Sequence, residues 1–126
     1  MTVKQSKSGY AATVSALLDA IGRRGLTVFA RIDHAAGARE VGLELAGEEV
    51  VVFGNARAGT PLMQIDPRIG IELPLRMLVW SDGDGVRVGY RDPRELLKRY
   101  EVAANEATLA QMATLLAALA EEATAA

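Results

Sequence analysis

No cysteine occurs in the 126 residues of this chain. Disulfides, thiolate nucleophiles, iron–sulfur clusters and cysteine-based zinc sites are therefore excluded together. Histidine occurs once, at His34, so any metal site would have to be completed by carboxylates. Aromatic residues make up only 5% of the chain against 50% hydrophobic residues overall, and the core must be built from Val, Leu, Ile, Ala and Met. Lysine is confined to Lys4, Lys7 and Lys98, arginine supplying the other basic groups. With a formal net charge of -2 and no basic cluster, nucleic acid is not an expected partner. No stretch reaches the roughly 20 apolar residues of a membrane span, and Met1 to Lys7 lacks the apolar core of a signal peptide. A cytoplasmic protein with no membrane partner is the expectation.

What is present fits one domain over residues 1–126, long enough to bury about two-thirds of its surface without staples. Val3 to Lys7 reads as a short first strand. Tyr10, Val14, Leu17, Leu18 and Ile21 then fall at helical spacing, begun by Ser8 or Gly9 and closed by Arg23-Arg24-Gly25. From Leu26 to Asp33 the residues alternate as in a strand, Leu26, Val28, Ala30 and Ile32 on one face and Phe29, Arg31 and Asp33 on the other. Residues 35–47, interrupted by Gly37, Gly42 and Gly47, predict irregular chain with a helical turn. Glu49 to Phe53 predicts a strand, Leu62 to Ile65 a short helix capped by Thr60-Pro61, and Ile71 to Trp80 a long strand with Pro74 at an edge or bulge. Ser81 to Gly85 is a turn into a returning strand, Val86 to Arg91, and Asp92-Pro93 starts a helix. An Ala/Leu-rich C-terminal helix at about 106–122 carries Leu109, Met112, Leu115, Leu116 and Leu119 on one stripe, to be packed on the domain's own sheet, the alternative being a dedicated dimerisation helix. The order is α+β, with tight turns favouring a single antiparallel sheet covered on one face by helices.

The residues a site could use are concentrated between Ile32 and Pro74. Candidate ligand contacts are His34, Asn55, Thr60, Asp66 and Arg68. His34 could act as a general base or a metal ligand, but no nucleophile motif accompanies it, and adjacent Asp33 would point to the opposite face of a strand. Gly54 to Thr60 approaches the phosphate-binding pattern G-x-x-x-x-G-K-[ST] in the spacing of Gly54, Gly59 and Thr60, yet the lysine is missing, which argues against nucleoside triphosphate chemistry. A strand-to-helix loop could still offer amides to an anion, with Arg57 or Arg68 adding charge. No cofactor motif is present.

Several segments together carry a family resemblance: Phe29-Ala30-Arg31-Ile32-Asp33-His34-Ala35, Phe53-Gly54-Asn55, Ala58 to Met63, and Asp66 to Leu75, with Leu78-Val79-Trp80 and Asp92-Pro93 beyond them. They resemble the signatures of the bacterial domain-of-unknown-function family 302. The resemblance implies a TATA-binding-protein-like fold of strand, helix, four strands and helix, a homodimer, and no assigned activity. Two functions from different classes follow. One is a small-ligand, possibly anion-binding domain whose pocket lies between the sheet and the Ala56 to Arg68 segment. The alternative is a non-catalytic interaction or dimerisation module using a strand edge or the Phe29 face. An enzyme using His34 with Asp66 or Glu72 ranks last.

Overall fold

The computed structural model describes residues 1–125. Strand β1 (Thr2–Gln5) leads into helix α1 (Tyr10–Arg23), then β2 (Thr27–Asp33), α2 (His34–Glu40), β3 (Glu48–Gly54) and α3 (Ala56–Ile65). A 3-10 turn over Pro67–Glu72 precedes the hairpin of β4 (Leu75–Asp82) and β5 (Gly85–Tyr90). Two further 3-10 turns, Pro93–Lys98 and Ala103–Asn105, precede the long helix α4 (Glu106–Thr124). The sheet is antiparallel throughout, in the order β1-β5-β4-β3-β2.

Register decides which side chains meet the helices, because directly opposed residues of neighbouring strands share a face. Glu49, Val51 and Phe53 oppose Val79, Met77 and Leu75, and Val79 opposes Val88. This face joins Val14, Leu17 and Ile21 of α1 and Leu116 and Leu119 of α4 in the larger core cluster. α1 ends as its residues require. Gly25 takes φ 68°, and Arg23 and Arg24 sit at the negative end of the dipole, where both reach Glu122 of α4. The Lys4 ammonium pairs with Glu121 at 2.5 Å, tying the edge strand β1 to the same helix.

The opposite face carries Val50, Val52, Leu78, Trp80 and Ile32, all outside both core clusters. Trp80 and Met1 lie across Gly89, where an added Cβ would come within 2.9 Å of each. None of the helices in the described residues is long and apolar enough to cross a membrane.

A smaller cluster holds Leu62 of α3, Ile69, Leu96, Val102, and Leu109 and Met112 of α4. α4 therefore spans both cores, its N-terminal half serving the smaller and its C-terminal half the larger.

Four expectations change on contact with the structure. In β2, Val28 opposes Phe53 and Ala30 opposes Val52, so Phe29 is an unpaired bulge residue and Val28 is moved to the face opposite Ala30 and Ile32. Residues 34–40 form a helix because Asp33 caps it, its carboxylate accepting from the Ala36 amide at 2.8 Å. α3 starts five residues earlier than Thr60-Pro61 indicated, with Asn55 as its N-cap and Pro61 inside the helix. The strand expected from Ile71 begins only at Leu75, since Asp66 caps a 3-10 turn that carries the chain through Glu72 to a cis Leu73–Pro74 bond.

Candidate functional site

The two cores meet at Leu75, which packs against both, and a cleft of about 220 Å³ opens at that junction. Leu26 and the bulged Phe29 form one wall. Leu73, Pro74 and Leu75, Met112 and Leu115 of α4, and the first turns of α3 with Met63 line the rest of the cleft. The bulge matters here: as the unpaired residue, Phe29 is half exposed at the rim rather than held in the ladder's alternation. Gly59 is a buried part of the α3 lining, and a Cβ there would touch Leu73 at 3.6 Å and Met63 at 3.8 Å. An apolar cavity of about 150 Å³ accommodates benzene, so this cleft has room for a somewhat larger molecule.

The lining contains no charged residue. Its polar groups are Asn55 and Thr60, both solvent-exposed at the rim. The Asn55 Oδ1 already accepts from the Ala58 amide at 2.9 Å, which leaves its amide nitrogen as the group free to turn toward a ligand. The thioethers of Met63 and Met112 give the walls an adaptable surface.

Of the sequence-derived candidates, the structure brings Asn55 and Thr60 together in the cleft and Asp66 and Arg68 together elsewhere. Asp66 is buried at the end of α3 and accepts from the Nε and Nη2 of Arg68 at 2.9 and 2.8 Å, from the Arg68 amide at 3.1 Å and from the Glu101 amide at 3.1 Å. The fork of Arg68 and the two amides hold its carboxyl well below the usual carboxylate range. Beside it, the Tyr100 hydroxyl donates to Glu72 at 2.7 Å, and the guanidinium groups of Arg68 and Arg99 lie 6.0 and 5.9 Å from the Tyr100 ring. The phenol's own hydrogen bond to Glu72, before burial, pushes its pKa up. This cluster joins the Pro67–Glu72 turn to the segment before α4 and is a structural latch. His34 opens α2 at the opposite end of β2 from the cleft and is exposed.

The span read as a glycine loop, Gly54 to Thr60, is the end of β3 and the first half of α3, so its glycines do not form a phosphate cradle. No group of three or more His, Asp or Glu is placed to hold a metal ion among the described residues. The apolar contributors Leu26, Phe29, Met63, Met112 and Leu115 were absent from the candidates. Two of the chain's four methionines line one cleft, and an aromatic residue sits on the polar face of an edge strand, which were the signals available.

A second, more open groove runs between α1 and β2. Glu49, buried on the helix-facing side of β3, accepts from the Nε and Nη2 of Arg31 at 2.6 and 3.2 Å. Above it the Tyr10 hydroxyl is buried with no hydrogen-bond partner among the described residues. Burial first, then the nearby Glu49 charge, raises the phenol's pKa.

Comparison with known proteins bears on fold and family. The family described as "Domain of unknown function DUF302" matches residues 1–119. The crystal structure of an uncharacterized conserved DUF302 protein from Bacillus stearothermophilus superposes with a TM-score of 0.86, covering 97% of this chain and 96% of that one at 17% identity. At that identity the likeness speaks to fold alone. Two curated relatives are the protein named fluoride-specific ion channel FluC 1 of Brucella suis biovar 1 (strain 1330) and that named fluoride-specific ion channel FluC 2 of Brucella melitensis biotype 1 (strain ATCC 23456 / CCUG 17765 / NCTC 10094 / 16M). Each is 40% identical over 99 residues, or 78% of this chain. The match spans only 39% and 37% of their own lengths.

Proposed function

From the premise that the chain belongs to the DUF302 family, for which no activity is described, we propose that it is a small-ligand-binding domain whose cargo is uncharged and mainly apolar. The observation that supports this reading is the cleft itself: about 220 Å³, walled by Leu, Met and Phe side chains, with Asn55 and Thr60 at its rim and no charged group in its lining. Such concave, apolar sites with a few placed polar groups are the usual form of small-molecule pockets. An anion would find neither a guanidinium nor an ammonium there, and no acid–base residue lines the cleft to support catalysis.

Thermal-shift titration with indole and naphthalene, set against benzoate as an anionic probe of similar shape, tests this reading. A ligand at 100 times its dissociation constant stabilises by about 2.7 kcal/mol. The neutral aromatics should raise Tm and benzoate should not. Gly59→Leu, which projects a side chain toward Leu73 and Met63, should abolish the shift. No shift with either neutral probe, or an equal shift in Gly59→Leu, would overturn the proposal.

A second reading rests on the Brucella relatives, in which a similar stretch of about 99 residues forms part of a protein named a fluoride-specific ion channel. A domain joined covalently to a channel in one chain can serve the same partner as a separate one in another. Fluoride efflux from liposomes carrying such a channel, measured with and without this protein, distinguishes an accessory role from none.

A further inference from the structure

The polar rim of the cleft is biased toward hydrogen-bond donors. Asn55 caps α3 with its Oδ1, which accepts from the Ala58 amide at 2.9 Å, and because a backbone N–H can only donate, this bond fixes which end of the side-chain amide is engaged. What is left over is the Nδ2 with its N–H groups. Thr60 adds a hydroxyl. Thr13, Thr114 and Thr124 return theirs to the backbone carbonyl four residues earlier, whereas the Thr60 hydroxyl makes no such bond among the described residues. No carboxylate lines the cleft to take up either donor. Ala56, Gly59, Thr60 and Met63, spaced i, i+3, i+4 and i+7, share one face of α3, and all four line the cleft. Ala56 and Gly59 carry a methyl group and nothing, so space beside the Thr60 hydroxyl is left open by the smallest side chains.

We propose that the cleft takes neutral carbonyl compounds of bicyclic size, the apolar body lying among the Leu, Met and Phe side chains and one carbonyl oxygen accepting from the Asn55 Nδ2 and the Thr60 hydroxyl. This rests on the small-ligand reading above and narrows it to a chemical class. A carbonyl oxygen has two lone pairs and no proton of its own, so two donors satisfy it completely. A hydrocarbon gives the two donors nothing to replace the water they lose. An alcohol brings a proton whose nearest side-chain acceptor, the Asn55 Oδ1, is already engaged by Ala58. A carboxylate brings a charge that no cation in the lining meets. Asn55 is therefore the specificity-determining residue, and its role as helix cap is what holds its donor end available.

Isothermal titration calorimetry on the whole protein with tetralin and tetralone, which differ by a carbonyl in place of a methylene, tests the assignment. The quantity read is the ratio of the two dissociation constants in each protein, because comparing it between variants cancels the cost of taking the carbonyl out of water. Asn55→Asp keeps the helix cap, the two residues being about equal at that position, but sets acceptor oxygens where a donor stood. It should move the ratio against tetralone by about tenfold. Thr60→Val, of similar shape without the hydroxyl, should move it the same way by about threefold. Asn55→Ser also caps the helix and lacks the amide donor, and it serves should Asn55→Asp fail to fold, with an expected shift of about threefold. Tetralin binding with a ratio that stays within about twofold across all variants would overturn the carbonyl assignment and leave the apolar cleft standing. A wild type that binds neither compound would overturn both. Undiminished binding of both by Gly59→Leu would put the probes outside the cleft and overturn the assignment as well.

Discussion

The buried carboxylate of Asp66 accepts the backbone amide of Glu101, 35 residues further along the chain, while its oxygens also receive the guanidinium of Arg68. One residue thus caps the Pro67–Glu72 turn, fixes an arginine and holds the chain that leads into α4. Because these partners favour the charged form, its folded pKa lies below its ordinary value of 3.8. A group depressed in this way contributes stability that is present above the unfolded value and is lost as pH falls through the folded one. The wild type should therefore lose Tm steeply below about pH 4, over and above the general acid effect. Asp66→Asn should start lower at neutral pH and show a shallower acid limb. Parallel acid limbs for the two proteins would remove Asp66 from this account.

Tyr10 presents the reverse situation, a polar group buried without a partner. Its ring lies against Gly47 and its hydroxyl meets no hydrogen-bonding atom among the described residues. Removing an unsatisfied buried hydroxyl removes a desolvation cost, so Tyr10→Phe should raise stability by about 1 kcal/mol. Urea denaturation measures it through the midpoint at unchanged slope. A loss of stability on that change would mean the hydroxyl has a partner in solution.

Two glycines of different surroundings separate backbone effects from packing. At Gly22, inside α1, an added Cβ meets nothing within 4 Å, so Gly22→Ala should stabilise by about 0.5–1 kcal/mol through helix propensity. At Gly47 the same methyl would lie 2.8 Å from three atoms of the Tyr10 ring, and the ring would have to move. Gly47→Ala should accordingly destabilise by about 1–3 kcal/mol. Thermal unfolding of the pair should show Tm moving in opposite directions.

How far the sequence anticipated this arrangement depended on whether local signals had competitors. α1, the turn between β4 and β5 with β5 after it, and α4 are where periodicity and turn residues place them, because each of these patterns points one way. At the start of α3 two capping signals competed. Thr60-Pro61 resembles a cap followed by a first-turn proline, but Asn55, in extended conformation and bonded to Ala58, captured the helix first. The bulge at Phe29 was invisible to period-two counting, since it depends on how β2 registers against β3. The cleft was hidden for a related reason. Polar side chains stand out as ligand contacts in a sequence, and Asn55 and Thr60 do reach it, but its walls come from Leu26, Met63, Met112 and Leu115, which along the chain look like ordinary core.

Arg31 and Glu49 supply the remaining prediction, and it turns on which partner is removed. Glu49 is buried between β2 and α1 with a side chain only 5% exposed, whereas that of Arg31 is 50% exposed. Arg31→Met leaves a buried carboxylate without its counter-charge, and the expected cost is about 2–3 kcal/mol, reduced from that of a fully enclosed pair by the solvent that reaches the guanidinium. Glu49→Leu removes the buried charge instead and frees an arginine able to turn into water, so it should cost less than half as much. In the double variant Arg31→Met/Glu49→Leu the buried charge is gone and apolar surface replaces it, in a groove already walled by Val14 and Leu18. Its stability should approach that of the wild type and exceed that of Arg31→Met alone. Urea midpoints of the four proteins complete a double-mutant cycle, and a double variant no more stable than Arg31→Met would show that the arginine acts through its own packing rather than by neutralising Glu49.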